Sequence, residues 1–313
     1  GFFKKMAAVV LAVVTTMTMF TGCGGAGSTS ASTKSITIQG GNTEGDLDPA
    51  GVALGMFIQY SRLCLEPLVT YDSDGKVSKA MAESYEESSD GLTWTFHLRK
   101  DAKWSDGSAV TSADFVNTIK RSLDGKTSKS IYADMLSPIV GATEAYAGTA
   151  SVDNVGVTAP DDYTIEFKLV KPCSYFLKLI AMQCCYPSKA GIATNENETW
   201  YTDPKTNLAN GAFYMTEYVQ GQYYKLKKNP NYYDADKVYL EDITVKFIDD
   251  ATAAVSAYKT NEVDFATNLP AYVMSEYQGK SDLVLQPNIT TRFILFNVTK
   301  APFNNDKVRR AIS

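Results

Sequence analysis

The sequence predicts an α/β fold, on three grounds. Between Leu92 and Gly125, Trp94, Phe96 and Leu98 alternate with Thr95, His97 and Arg99, and this strand-like period of two gives way to a helical one in Val116, Ile119 and Leu123. The same change recurs where an apolar strand at Ile243, Val245 and Phe247 runs into an alanine-rich stretch around Ala253 to Tyr258. The chain has 313 residues, of which 44% are hydrophobic and 21% charged, which describes a folded protein too long for one ordinary domain.

Taken in order, residues 1–22 read as a secretory leader. Lys4 and Lys5 precede an apolar run from Met6 to Phe20 that is short for a bilayer span, and small residues follow. Phe20-Thr21-Gly22-Cys23 resembles a bacterial lipobox, which makes Cys23 the expected lipidation site; ordinary signal cleavage beside an incidental cysteine is the alternative. The Gly/Ser-rich stretch after Cys23 is a flexible tether with nothing from which to build a core.

Ser35 to Gln39 alternates as a short strand and leads through Leu47-Asp48-Pro49 to the loop Ala50 to Gly55. Glycine on either side of that loop lets backbone approach a ligand closely, although a plain turn uses the same residues. A helix carrying Phe57, Tyr60 and Leu63 then ends at Glu66-Pro67, and Leu68 to Tyr71 with Asp72-Ser73-Asp74-Gly75 reads as strand and turn. In the central unit, Asp106-Gly107 supplies a tight turn, because glycine accepts positive φ without a Cβ clash. Thr111 stands three residues before Asp114 as in a capping box, and Gly125 is placed to end the helix. Tyr163 to Leu169 alternates cleanly, and Asn210-Gly211-Ala212-Phe213 opens a hairpin across Gln220-Gly221-Gln222. Further strands are expected at Asn261 to Phe265 and at Thr291 to Asn297.

Several function classes are disfavoured. The net charge is −5, and without the two leader lysines 28 basic side chains face 35 acidic ones, with no basic stripe to meet phosphates. The single His97 points from a strand, which argues against a histidine-based zinc site or a Ser-His-Asp triad. Cys64, Cys173, Cys184 and Cys185 have no metal-binding spacing and read as buried free thiols. Asp72 to Gly75 lacks the further oxygen ligands of a calcium loop, and a turn and a strand position explain Glu262 and Asp264 better than a hydrolytic pair does. No nucleophile–base pair stands out, which agrees with a chain that is no enzyme and needs no cofactor or metal. Aromatic residues make up 12% of the chain, and the 19 tyrosines serve either core packing or the walls of a ligand cleft.

Specific wording adds to this reading. Thr95 to Gly107 (TFHLRKDAKWSDG), Val110 to Val116 (VTSADFV) and Lys120 to Asp124 (KRSLD) come first, preceded by Ala80 to Tyr85 (AMAESY). Pro172 with Tyr175, Phe176 and Leu179 follows, then Asn210-Gly211-Ala212-Phe213 paired with Lys228-Asn229-Pro230-Asn231-Tyr232. Asn261 to Phe265 and Pro302 to Ile312 complete the set. Together these resemble the bacterial extracellular solute-binding proteins of family 5, the oligopeptide-binding components of ABC importers. The match runs from about Ile36 to the last residue, with Pro67, Ile131 and Asn261 departing from the family's glycine, proline and glycine.

The resemblance implies a periplasmic-binding-protein type II-like α/β fold with two lobes, an extra inserted domain, and a second lobe largely missing from an N-terminal fragment. The expected division is a signal peptide at 1–22, a tether at 23–35 and a discontinuous first lobe at 36–65 and 207–291. An inserted domain occupies 66–206, and 292–313 begin the second lobe. It further implies a monomer tethered outside the cell through lipidated Cys23, binding an oligopeptide by lobe closure and handing it to ABC permease subunits, with no nucleic-acid partner. The residues it points to as ligand contacts are Ala53, Leu54, Gly55, Tyr132, Asn268 and Phe293. The alternatives are a same-fold binder of another solute (a nickel complex, haem, an oligosaccharide or an opine) and, from another class, a secreted hydrolase.

Overall fold

The computed structural model describes residues 34–41, 47–51, 56–72, 74–128, 130–197, 199–267, 269–285 and 294–312. Ser35 to Gln39 forms a strand as expected, β1 (Ser35–Gly40), and α1 (Met56–Cys64) follows it. The hairpin of β2 (Val69–Tyr71) and β3 (Val77–Lys79) turns at Asp72, whose carboxylate accepts from the N–H groups of Asp74 and Lys76, while Gly75 takes φ +74°.

The central unit becomes β4 (Ala82–Glu87), β5 (Thr93–Leu98) and α2 (Ser112–Leu123). A short helix α3 (Ala142–Tyr146), the hairpin of β6 (Val157–Asp161) and β7 (Thr164–Lys168), and α4 (Phe176–Ile180) complete this layer. Its sheet is antiparallel throughout, in the order β4-β5-β7-β6. The alternation read from the sequence decides which face is buried: Trp94, Phe96 and Leu98 lie inside while His97 is exposed. Trp94 meets Phe176 at 5.7 Å between ring centroids, and Phe167 packs edge-on against both Phe96 (5.5 Å) and Phe176 (5.3 Å). Such pairs add to plain area burial because ring edges and faces carry opposite partial charge.

One buried carboxylate organises the join between β5 and α2. Asp114, in the helix's first turn, accepts from the Thr111 N–H (2.9 Å), as the capping-box spacing predicts. It also accepts from the indole N–H of fully buried Trp104 (2.9 Å) and the Ala190 N–H (2.8 Å). Three N–H donors compensate the desolvation of a charge that would otherwise be costly to bury.

The second sheet takes the order β1-β10-β9-β8, built from β8 (Phe213–Val219), β9 (Tyr223–Lys228) and β10 (Asp242–Phe247) together with β1. β1 runs parallel to β10 from Ser35 opposite Asp242 to Gly40 opposite Phe247. α5 (Ala251–Lys259), α6 (Ala271–Tyr277) and α7 (Asp306–Ile312) follow.

The two sequence signatures meet in space. The Ser105 N–H donates to Ala209 O (2.7 Å), and Asn231 Nδ2 donates to Ser105 O (3.1 Å). Asn210 behaves as a surrogate peptide group for the end of α1, accepting from the Glu66 N–H and donating to Glu66 O. Asn229, fully buried, donates to Gly211 O (3.0 Å) while its own N–H meets Ala212 O. Gly211 sits so close to α1 that a Cβ would lie 2.7 Å from the Cys64 carbonyl carbon and 2.9 Å from the Leu65 nitrogen.

Two strand expectations are corrected. Asn261 to Phe265 contributes only a parallel bridge from Phe265 to Ile38. Asn261 there adopts φ +58°, a left-handed conformation that glycine accepts freely and asparagine tolerates. Within Thr291 to Asn297, the described residues 294–297 are not strand, because among the described residues no neighbouring strand pairs with them; Ile294 and Leu295 are exposed. The thiols Cys64, Cys173, Cys184 and Cys185 are free and buried as expected. Replacing Gly211 by Ala should destabilise the fold by about 1–3 kcal/mol, since backbone rather than a pliable side chain must move; urea unfolding measures this, and an unchanged midpoint contradicts the packing described.

Candidate ligand-binding edge

Three parallel chain segments end on the same side of the second sheet. β1 ends at Gly40 and β10 at Phe247, and the segment at Phe265 pairs with the opposite edge of β1. Main-chain bonds fix this arrangement: Gln39 N–H to Phe265 O (2.9 Å), Asp264 N–H to Thr37 O (2.7 Å) and Ile248 N–H to Gly40 O (3.1 Å). The next helix in sequence, α1, packs on β8, whereas α5 follows β10 and leads to Phe265 on the far side of β1. Open α/β sheets take ligands at the carboxyl ends of their parallel strands, and this edge is such an end. Gly41, just beyond β1, has open space where a side chain would stand.

The turn after Leu47 is held from the other layer. Arg121 on α2 forms a two-pronged ion pair with Asp48, Nη1 to Oδ2 at 2.7 Å and Nη2 to Oδ1 at 2.6 Å. Its Nη2 also reaches Ser188 Oγ (3.1 Å), its Nη1 reaches Asn195 Oδ1 (3.3 Å), and its guanidinium lies 5.7 Å from the Trp200 ring centre. Asp48 Oδ1 accepts in turn from the Ala50 N–H (2.9 Å), and Asp48 O accepts from the Gly51 N–H. Both charges are nearly inaccessible, 7% for Asp48 and 8% for Arg121, so deleting either partner would strand the other at a cost of about 3–5 kcal/mol.

A pocket of about 480 Å³ opens beside the same edge, bounded by Tyr258 on α5, Phe265 and Thr267, Met274 and Tyr277 on α6, and Leu283. Its volume is that of a small-molecule or side-chain site. Among the described residues no group of three or more His, Cys, Asp or Glu is placed to hold a metal ion.

Comparison with known proteins fits this geometry. Residues 76–313 match the bacterial extracellular solute-binding proteins, family 5 Middle. The chain belongs to that family. It is 32% identical over 292 residues to the periplasmic oligopeptide-binding protein OppA of Escherichia coli K12, covering 92% of this chain and 53% of that one. It is also 32% identical to the probable deoxycholate-binding periplasmic protein YgiS of the same organism, covering 86% and 50%. The structure of the pheromone receptor PrgZ, solved for its mode of peptide binding, superposes with a TM-score of 0.81 at 26% identity over 90% of this chain and 56% of that one. The fold of this family 5 chain is thus the α/β type II periplasmic-binding-protein fold, and the chain spans about half the length of the curated relatives it matches.

The residues singled out from the sequence are distributed unevenly. Ala53, Leu54, Gly55, Asn268, Phe293 and Cys23 lie outside the described residues. Their described neighbours Gly51 and Thr267 lie at the Asp48 turn and at the strand-end edge. Tyr132 heads a short 3-10 turn at Ala133–Leu136 and is half-buried against the hydrophobic core, next to Ile131 at 56% exposure. Sequence reading missed Arg121 and Gln39. Arg121 was visible only as part of the KRSLD wording, since an arginine on an amphipathic helix ordinarily reads as a solvated face. Gln39 looked like the polar end of an alternating strand.

Beside the tie at Asn210, Glu66 receives the Tyr233 hydroxyl (2.8 Å), and the Arg99 guanidinium stacks 3.2 Å over the centre of the Tyr233 ring. Burial, only partly offset by the Tyr233 hydrogen bond and the Arg99 charge, lifts the Glu66 carboxyl above its ordinary 4.5. A carboxyl whose pKa is higher in the folded state stabilises the fold at low pH, and that contribution is lost as pH rises from the unfolded value through the raised one. Glu66→Gln, which keeps an acceptor for Tyr233, should therefore gain stability relative to wild type between about pH 4 and about pH 8. Urea unfolding at the two pH values checks this, and a wild-type-to-variant difference that does not change with pH contradicts it.

Proposed function

We propose that this chain is the ligand-capturing part of an extracytoplasmic solute-binding protein that takes up oligopeptides and delivers them to an ABC importer without altering them chemically. The observation that carries the reading is the edge where the ends of β1 at Gly40 and β10 at Phe247 meet the bridged segment at Phe265, in a chain of a family whose matched relatives include oligopeptide-binding proteins. Main-chain groups at such an edge suit an extended peptide, which is held like an added strand through amide hydrogen bonds while varied side chains occupy roomy pockets.

In this reading residues 36–65 and 207–291 form a discontinuous first lobe, 66–206 an inserted domain, and 292–313 the beginning of a second lobe. Ala53, Leu54 and Gly55 offer main-chain contacts, Tyr132 faces the ligand from the inserted domain, and Asn268 and Phe293 border it. Closure of the lobes follows binding because the closed form holds the ligand better, and differential affinity sets the extent of the shift. Cys23 carries the lipid that keeps the monomer beside its permease partners, and the Gly/Ser-rich stretch acts as its leash.

The similarity to a probable deoxycholate-binding protein favours a second reading, capture of an amphipathic non-peptide solute. Thermal unfolding of the full chain with an oligoalanine series (three to six residues) and with deoxycholate separates the two. Ligand at about 100-fold its dissociation constant adds about 2.7 kcal/mol of stability. A raised melting temperature with oligoalanines but not with deoxycholate is expected. A rise with deoxycholate alone replaces the peptide reading with the second one.

A further inference from the structure

We propose that Gln39 is a positioning residue for ligand binding: its buried amide locks the ends of β1 and β10 and the Phe265 segment into one rigid edge and fixes the main chain at Gly40-Gly41 and at Thr267 that meets the ligand. The proposal rests on the reading that this edge binds peptide. Gln39 is the second-last residue of β1 and only 3% exposed. Its Oε1 accepts two hydrogen bonds from one residue across the edge, the Thr267 N–H at 2.7 Å and the Thr267 hydroxyl at 3.1 Å. Its Nε2 donates to Ile248 O, just beyond β10, at 2.7 Å. Its main chain completes the set, with N–H to Phe265 O (2.9 Å) and its carbonyl accepting from Gln59 Nε2 on α1 (3.3 Å).

The chemistry of the side chain is specific. The amide accepts from Thr267 through its oxygen and donates to Ile248 O through its nitrogen at once. A carboxylate would oppose the Ile248 carbonyl, and an apolar side chain of the same length would leave the Thr267 N–H and Ile248 O unpaired. None of this is needed merely to close the sheet, since β1 already pairs with β10 along its whole length. What the Gln39 side chain adds is the placement of Thr267 and a second tie to Ile248, whose own N–H already meets Gly40 O. A ligand read through main-chain groups depends on such placement, because misplacing a preorganised group by a fraction of a hydrogen-bond length loses most of its contribution.

Gln39→Met, similar in length and unable to make these bonds, is the decisive variant. Ile119→Ala, a cavity in the buried face of α2 in the other layer, serves as a control for lost stability alone. Tetra-alanine affinity is measured by calorimetry on the full-length variants at a temperature where circular dichroism shows both folded, and the exchange rate of the Thr267 amide is measured without ligand. The expected result is a loss of tetra-alanine affinity of about tenfold or more in Gln39→Met against about twofold or less in Ile119→Ala, with faster Thr267 exchange only in the former. Equal affinity in the two variants overturns the proposal even if Gln39→Met melts earlier. If wild type binds no oligoalanine, the peptide reading fails separately, and unaltered Thr267 exchange in Gln39→Met then overturns the positioning role by itself.

Discussion

The arrangement depends on one pairing: the strand that opens the described chain is seated between two segments from its far end. β1 bonds along its length to β10 on one side and meets Phe265 through a single bridge on the other, so residues 35–40 supply the end strand of a sheet otherwise built from residues 213–247. A parallel pair cannot be closed by a tight turn, and here the crossover accommodates a complete four-stranded layer with α2 packed on it. The same pairing brings strand ends together at one edge, so the fold constraint and the candidate site have a single origin.

Such a long excursion must be fastened where it leaves and returns, and the fastenings are buried polar groups rather than more apolar area. Asn210 takes both peptide groups of Glu66, Asn229 stitches Gly211 and Ala212, and Arg121 grips Asp48 across the two layers. Buried polar groups add little net stability when paired, yet an unpaired one is expensive, so these contacts select one geometry over its near neighbours. The Asp48–Arg121 pair is the clearest case. Its gain over an apolar pair is small or negative in general, but only one placement of the Asp48 turn satisfies both charges together with the Ala50 N–H.

Much of the first layer was legible in the sequence because period and burial coincide there: Trp94, Phe96 and Leu98 alternate, and they are the buried face. The capping spacing of Thr111 and Asp114 was also readable, whereas the indole of Trp104 and the Ala190 N–H converging on the same carboxylate were not, since nothing local announces a contact from Ala190. The strand expected at Thr291 to Asn297 shows the limit of periodicity: apolar alternation states that a segment can be a strand, while a partner decides whether it is one. Of the candidate site, the wording around Asp48 and Asn261 was visible, but the parts that build the edge were not. Gln39 and Thr267 are 228 positions apart, and a glutamine at a strand end gives no sign of a partner so distant.

The central claim is that an extended peptide lies along the edge formed by the ends of β1, β10 and the Phe265 segment. Hydrogen exchange of the full chain, followed by mass spectrometry with and without saturating tetra-alanine, tests it most directly. The account predicts slower exchange in fragments spanning residues 40–55 and 265–269 and little change across β4 to β7. Protection confined to β4–β7, or to any surface away from those two stretches while tetra-alanine is demonstrably bound, would contradict it.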